Sequence, residues 1–260
     1  MSDLALALDR KTRESPSQRS KFARVRNAQK QYEQKLRRVA RTVGDIVRGY
    51  AGEDPVESAP AVRVALRQYS AIVAQWARRA ASSMLAEVMR RDEDAWADVA
   101  KNMTRSLRSE IRSAPTGEVM RGLLEEQVAL ITSLPLEAAE RVHELVVGNI
   151  YSGARAGELA KEILRTGEVT ASRAALIART ETSRASSTLL QARAEHIGST
   201  HYRWRSSEDI DVRPLHRKLN GQVFAWNDPP VSGSNGERAH AGQIYNCRCW
   251  CEPIVAEEAA

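Results

Sequence analysis

The chain has 260 residues, a formal net charge of +6, and 28% charged against 5% aromatic side chains. That length holds one large domain or two small ones, and the composition is that of exposed helices rather than of a sheet-rich fold. No run nears the roughly twenty apolar residues of a membrane span, residues 1–11 lack the basic and apolar stretches of a secretion signal, and three cysteines crowded into residues 247–251 make no disulfide scaffold. The expectation is a chain made in the cytoplasm, with no membrane partner.

Residues 1–16 read as a flexible N-terminus. Over residues 17–50, Phe22, Val25, Tyr32, Leu36, Val39, Val43, Ile46 and Val47 recur at spacings of three and four, which predicts an amphipathic helix with a narrow apolar stripe. Residues 10–50 carry thirteen Lys/Arg against three acids, a local charge of +10. Arg24, Arg26, Arg37, Arg38 and Arg41 therefore form either a solvated face or a cationic one that meets nucleic acid or an acidic protein. Gly49, Gly52 and Pro55 end this helix, and a second is predicted over residues 60–113, interrupted near residues 91–94. Its inner side takes Ile72, Val73, Trp76, Met84, Leu85, Val88 and Trp96, with both tryptophans as core anchors.

A shorter helix is predicted between Pro115-Thr116-Gly117 and Leu134-Pro135, and another over residues 136–151. Residues 17–151 so form a helical assembly region. Linking helices occupy 152–198, the last capped near Thr170-Ala171-Ser172 and stopped at Gly198. It carries Arg179, Glu181 and Arg184. Glu181 and Arg184 are spaced for a surface ion pair, or an arginine of this helix reaches into the next module and clamps the acidic turn at residues 208–211.

After Gly198 the helical period disappears, and a small strand-containing module is expected over 199–256. Strands are predicted at 201–205, 222–226 and 248–254, with a one-turn helix at 213–219, an Asn220-Gly221 turn and a long loop over 227–242. The fold class is thus mainly α (α+β): an elongated helical N-terminal region followed by a small, loop-rich C-terminal module.

That module concentrates potential ligands. His216, His240, Cys247 and Cys249 form the candidate zinc set, since tetrahedral zinc takes thiolate and imidazole and a loop-rich module gains from a staple. Free buried thiols are the alternative, because the two sulfurs of Cys-x-Cys need a bend to share one ion. Asp209 beside His216 admits a metal-dependent nuclease or processing enzyme. The stronger reading of Asp209 and Asp211 is as turn and cap residues, and no nucleophile elbow or phosphate loop is present.

Taken in order, Ala178-Arg179-Thr180-Glu181, Tyr202-Arg203-Trp204, Asp209, Arg213-x2-His216, Leu219-Asn220-Gly221, His240-Ala241-Gly242 and Asn246-Cys247-Arg248-Cys249 resemble the phage Mu protein F-like head morphogenesis family. The resemblance implies a non-enzymatic minor head protein in the virion, at the portal vertex or capsid interior. Its implied partners are the portal protein, major capsid or scaffold proteins and packaged DNA. Many relatives look like they carry Cys-x2-Cys where this chain has Arg213-x2-His216, which completes a zinc site in them. Arg213 cannot ligate, so the metal-free version is favoured here, with Arg213 stapling the module by pairing with Asp209 or Glu181.

Overall fold

In a computed structural model, which describes residues 26–102, 105, 109, 112–153 and 155–255, the chain is a bundle of long helices carrying a small antiparallel sheet. The flexible N-terminus expected over 1–16 and Arg24 lie outside the described residues.

Helix α1 (Arg26–Arg48) follows the predicted stripe. Tyr32, Leu36, Val39, Val43 and Val47 point inward, with Ala28 and Ala40 completing the buried face. Helix α2 (Pro55–Val99) starts earlier than expected, because Pro55 suits the first helical position and Asp54 caps it by accepting from Val56 N at 2.9 Å and Glu57 N at 3.1 Å. Pro60 is absorbed near the first turns, and residues 91–94 do not interrupt the helix. The charged run there is held by Arg90 and Arg91 pairing with Glu87 and by Arg90 with Asp94, while Asp92 turns inward. Trp96 is buried and Trp76 packs at the core's edge, but Ile72 faces outward, 75% exposed, one position ahead of the inward Val73.

Helix α3 (Thr116–Ser152) fuses the two helices predicted on either side of Leu134-Pro135. Pro135 removes one donor from the ladder, and the hydroxyl of Ser70 in α2 donates to the neighbouring Thr132 carbonyl at 2.7 Å. Tertiary packing thus carries the helix through a residue that reads locally as a stop. Short α4 (Ala156–Leu164) leads into α5 (Thr166–His196), which begins four residues before the predicted cap; Gly198, with φ +81, follows its end as expected.

Helices α1, α2, α3 and α5 share the main core, which includes Leu36, Val73, Leu85, Ile131, Ala174, Ile177 and Leu189. Helix α5 is therefore part of the bundle as well as the link to the module. It lies so close to α1 that a Cβ on Gly167 would stand 2.9 Å from Gly44 Cα.

The C-terminal sheet has the order β2-β1-β3, all antiparallel: β1 (His201–Arg205), β2 (Val223–Ala225) and β3 (Trp250–Ile254). Along β1 the side chains alternate as its sequence predicts, with Tyr202 and Trp204 fully buried. Trp204 faces Cys251 across the β1–β3 pair. Gly221, at φ +83, closes the turn before β2, its N–H donating to the Trp204 carbonyl at 2.8 Å. The module's core of Tyr202, Trp204, Leu219, Trp226 and the three cysteines is continuous with Trp96 and Ala100 at the end of α2 and Leu190 and Ala194 near the end of α5. The bundle's end is thus the floor on which the module sits.

Candidate functional site

The site grows from three pieces of chain. Helix α6 (Pro214–Leu219), with Pro214 at its first position, turns His216 inward. A sequence of turns from His240 onward, closed by Gln243 N to the His240 carbonyl and Cys247 N to the Ile244 carbonyl, delivers Cys247. Asn246 takes a left-handed φ of +54, which asparagine tolerates better than most residues. That turn leads into Cys247-Arg248-Cys249, where alternate residues share a side, so both sulfurs face His216 without the bend expected between them.

His216 Nδ1 lies 3.5 Å from the Cys247 sulfur and 3.5 Å from the Cys249 sulfur, and all three ligand atoms fall within 4.8 Å of one another. The ring's other nitrogen, Nε2, is 3.0 Å from the Ser232 carbonyl. A carbonyl only accepts, so Nε2 donates to Ser232 and Nδ1 is the ring atom that faces the two sulfurs. Trp204 packs edge-on to His216 at 5.3 Å between ring centroids. The backbone N–H of Cys249 points at the Cys247 sulfur, 3.4 Å away.

Electrostatics follow from that crowding. The hydrogen bond with Cys249, aided by His216 and opposed by burial, holds the Cys247 thiol far below the ordinary range, at about 4. Sharing with Cys247 and burial push Cys249 up in turn, while the Trp204 indole and the Ser207 backbone act on it in the opposite direction. The pair behaves as two thiols holding one proton between them. Burial pushes the third thiol, Cys251, far up; its sulfur sits near the Ser187 hydroxyl and the Ala241 carbonyl.

His240 is not part of this cluster. Its Nδ1 meets the Tyr202 hydroxyl at 3.1 Å, and its ring lies edge-on to Tyr202 and Trp226, which stack on each other at 4.4 Å. The candidate set of four ligands is thereby corrected to three, because the aromatic core claims the fourth.

The arginine staple is also reassigned. Arg213 donates to the Tyr245 carbonyl at 2.8 Å and lies over that residue's ring, and it bonds neither Asp209 nor Glu181. Arg248 holds the acidic turn instead, reaching Asp209 Oδ1 at 2.9 Å and Asp211 Oδ2 at 3.0 Å. The alternation that turns both cysteines inward sends the intervening arginine outward to these carboxylates. Asp209 thus answers Arg248 rather than His216.

An arginine of α5 does reach into the module, though not to the acidic turn. Arg179 Nη1 donates to Asn246 Oδ1 at 2.8 Å, and the next residue, Thr180, accepts from Asn246 N at 3.0 Å. Glu181 faces the bundle, accepting from Gln127 Nε2 at 2.8 Å; Gln127 in turn accepts from the Tyr32 hydroxyl at 3.0 Å. Arg184 bonds Glu126 at 2.7 Å and stands 3.6 Å from Glu181. Thr180, Ser187, Ser232 and Asn246 are positioning residues that sequence reasoning did not single out. Only Asn246 and Thr180 carried a signal, as members of the two motifs that meet here.

The exposed side of α1 bears Arg26, Lys30, Arg37, Arg38 and Arg41. Among these, Arg37 is paired with Glu33 at 2.8 Å. Among the described residues no helix is long and apolar enough to cross a membrane.

Residues 140–252 match the family model described as Phage Mu protein F like protein, so the family resemblance read from the motif series holds over the region where those motifs lie. The chain is 31% identical over 173 residues to an uncharacterized protein of Haemophilus influenzae, a match spanning 65% of this chain and 38% of the relative. The chain therefore covers well under half the length of that relative. No solved structure gives a significant match.

Proposed function

The chain carries a Phage Mu protein F-like region over residues 140–252, and from that premise we propose that it is a non-enzymatic minor head protein acting in head morphogenesis at the portal vertex or capsid interior. The observation that carries the reading is the double use of α5. One turn of that helix anchors the module through Arg179 and Thr180 and the bundle through Glu181. The module is so fixed rigidly to a helical body, as suits a docking unit on a larger assembly. A portal, capsid or scaffold protein is the partner class.

The burial of the candidate ligands supports the absence of catalysis. His216 and Cys247 are each 2% exposed and Cys249 is 4% exposed, whereas a hydrolytic metal keeps a position open to substrate. The nuclease alternative also needs Asp209 to orient His216, and Asp209 is bonded to Arg248.

Co-expression with the portal protein tests the proposal, with co-purification expected and lost when the module, residues 199–255, is deleted and the four core helices are kept. Infectious, DNA-filled heads from a phage carrying that deletion would refute it. Metal-dependent DNA cleavage abolished by His216→Ala would replace it with the enzymatic reading.

A second reading, compatible with the first, is contact between packaged DNA and the basic side of α1. It is favoured by five cations exposed along one face, with Glu33 as the carboxylate paired among them.

A further inference from the structure

Resting on the head-protein reading, we propose that Ile210 and Tyr245 are the apolar anchors of the module's docking surface and seat in an apolar, carboxylate-rimmed pocket of the assembly protein.

Exposure is the first observation. Ile210 is 89% exposed, more than any other large apolar side chain among the described residues, and Tyr245 is 58% exposed. Single exposed apolar residues are ordinary on a protein surface. These two differ in how firmly they are held. Arg217 Nη2 donates to the Ile210 carbonyl at 2.9 Å. The residues on either side of Ile210, Asp209 and Asp211, are both bonded by Arg248, at 2.9 and 3.0 Å, and Asp209 Oδ1 also accepts from Asp211 N at 3.1 Å. Arg213 Nη2 donates to the Tyr245 carbonyl at 2.8 Å, with its guanidinium 5.4 Å above that ring.

The staples are reciprocal, and this makes one surface of two loops. Arg213 reaches from the first loop to Tyr245 in the second, and Arg248 reaches from the second to the carboxylates beside Ile210. Among the described residues two non-glycine positions have a positive φ, Glu208 at +52 and Asn246 at +54. They stand two residues before Ile210 and directly after Tyr245. Asparagine tolerates that conformation, but glutamate is not among the residue types enriched in it, and such strain persists where the surroundings fix it, commonly at binding sites. A solvated turn has no use for an isoleucine held in this way. A binding surface does, because freedom already lost in the free protein is not lost again on association.

Charge identifies the partner. Over residues 208–218 and 245–248 the cations Arg213, Arg217, Lys218 and Arg248 face three carboxylates, Glu208, Asp209 and Asp211. Asp209 and Asp211 already answer Arg248, and Glu208 accepts from Asn220 at 3.4 Å. Arg213 and Arg217 spend their hydrogen bonds on backbone carbonyls, so their charge is left for a partner. Apolar anchors with a cationic rim match an apolar pocket edged by Asp or Glu. Tyrosine and arginine are the residue types that most often dominate such contacts. An exposed isoleucine favours a protein over DNA, which presents mainly phosphates and polar base edges.

The wild-type chain and its variants are titrated by biolayer interferometry against the purified portal, major capsid and scaffold proteins of the same phage. Ile210→Thr should weaken binding to the recognised protein about thirtyfold, the scale of a central anchor, and Tyr245→Ser should weaken it as well. Both should melt as the wild type does, since each side chain is exposed. Ile72→Thr, which trims a comparably exposed residue of α2, should bind unchanged. Lys218→Gln should slow association and flatten its salt dependence while leaving dissociation alone. Undiminished binding by the Ile210→Thr/Tyr245→Ser double variant, or an equal loss in Ile72→Thr, would overturn the surface and leave the head-protein reading standing. A wild type that binds none of the three proteins would overturn both. Loss confined to duplex DNA binding, or to self-association in sedimentation, would give the surface to nucleic acid or to a second copy and so overturn it too.

Discussion

Arg193 of α5 donates to Asp92 of α2 at 2.8 Å, with both side chains only 4% exposed. Burial outweighs the arginine and raises the Asp92 carboxyl to about 6. A carboxyl whose folded value is raised binds its proton more tightly folded than unfolded. Its contribution to stability is therefore fully present below about pH 4 and lost as pH rises to about 6. Asp92→Asn mimics the protonated form. The stability of the wild type relative to Asp92→Asn, from thermal melts, should fall across that window by up to about 3 kcal/mol. A difference flat with pH would mean that Asp92 is ionised throughout.

Gly167 and Gly44 mark where α5 and α1 touch backbone to backbone. A methyl on Gly167 would stand 2.9 Å from Gly44 Cα, and backbone cannot swing aside. Gly167→Ala should lower stability by about 1–3 kcal/mol, as overpacking does. A methyl on Gly44 meets mainly the flexible end of Arg48, at 3.3 Å, so Gly44→Ala should be the milder change. Denaturant melts of the two variants check the order; equal effects would mean that the contact is not what limits the crossing.

The stripe of α1 and the alternation of β1 were legible because each follows from a local period. The same local reasoning started the second helix late, at residue 60, and overcounted breaks at Pro135 and at the charged residues 91–94, where packing against a second helix, or pairing along the same one, overrides the stop. Two of the four candidate ligands, Cys247 and Cys249, are separated by one residue. Their convergence on His216, thirty-one residues from Cys247, depends on the turn at Asn246. His240 carried the same chemical label as His216, and nothing in its neighbours along the chain foretold that Tyr202 and Trp226 would take it. The arginine clamp was legible as a need rather than as a pairing: Arg248 meets it for the acidic turn and Arg179 for Asn246.

Arg179 and Asn246 form the charge-assisted hydrogen bond that joins the two most distant motifs, sixty-seven residues apart. The contact is partly buried, so its loss in Arg179→Met should cost about 1–2 kcal/mol, less than a fully buried charged bond. The effect should be local. Hydrogen exchange should speed up over residues 241–251 while the amides of α1 and α2 keep their protection. Uniformly faster exchange would mean that Arg179 supports the bundle instead of the module. Asn246→Gly separates side chain from backbone, since it keeps the left-handed φ of +54 and removes only the acceptor; it should reproduce the Arg179→Met pattern.

The basic side of α1 makes its own quantitative demand. Each phosphate neutralised on duplex DNA releases counterions, so the logarithm of affinity falls with the logarithm of salt by about 0.9 per contact. Arg26, Arg37, Arg38 and Arg41 are exposed on α1, and the opposite face packs into the bundle, so neutralising all four to Gln leaves the core intact. Arg37 already shares its charge with Glu33, and it should contribute less than the other three. Fluorescence anisotropy on a duplex of arbitrary sequence should show a steep slope for the wild type, reduced by about 3 in the quadruple variant, with little dependence on sequence. An unchanged slope would place any DNA contact elsewhere on the chain. No binding even at low salt would leave this face to an acidic protein surface, where the same four substitutions should weaken co-purification with the assembly partner.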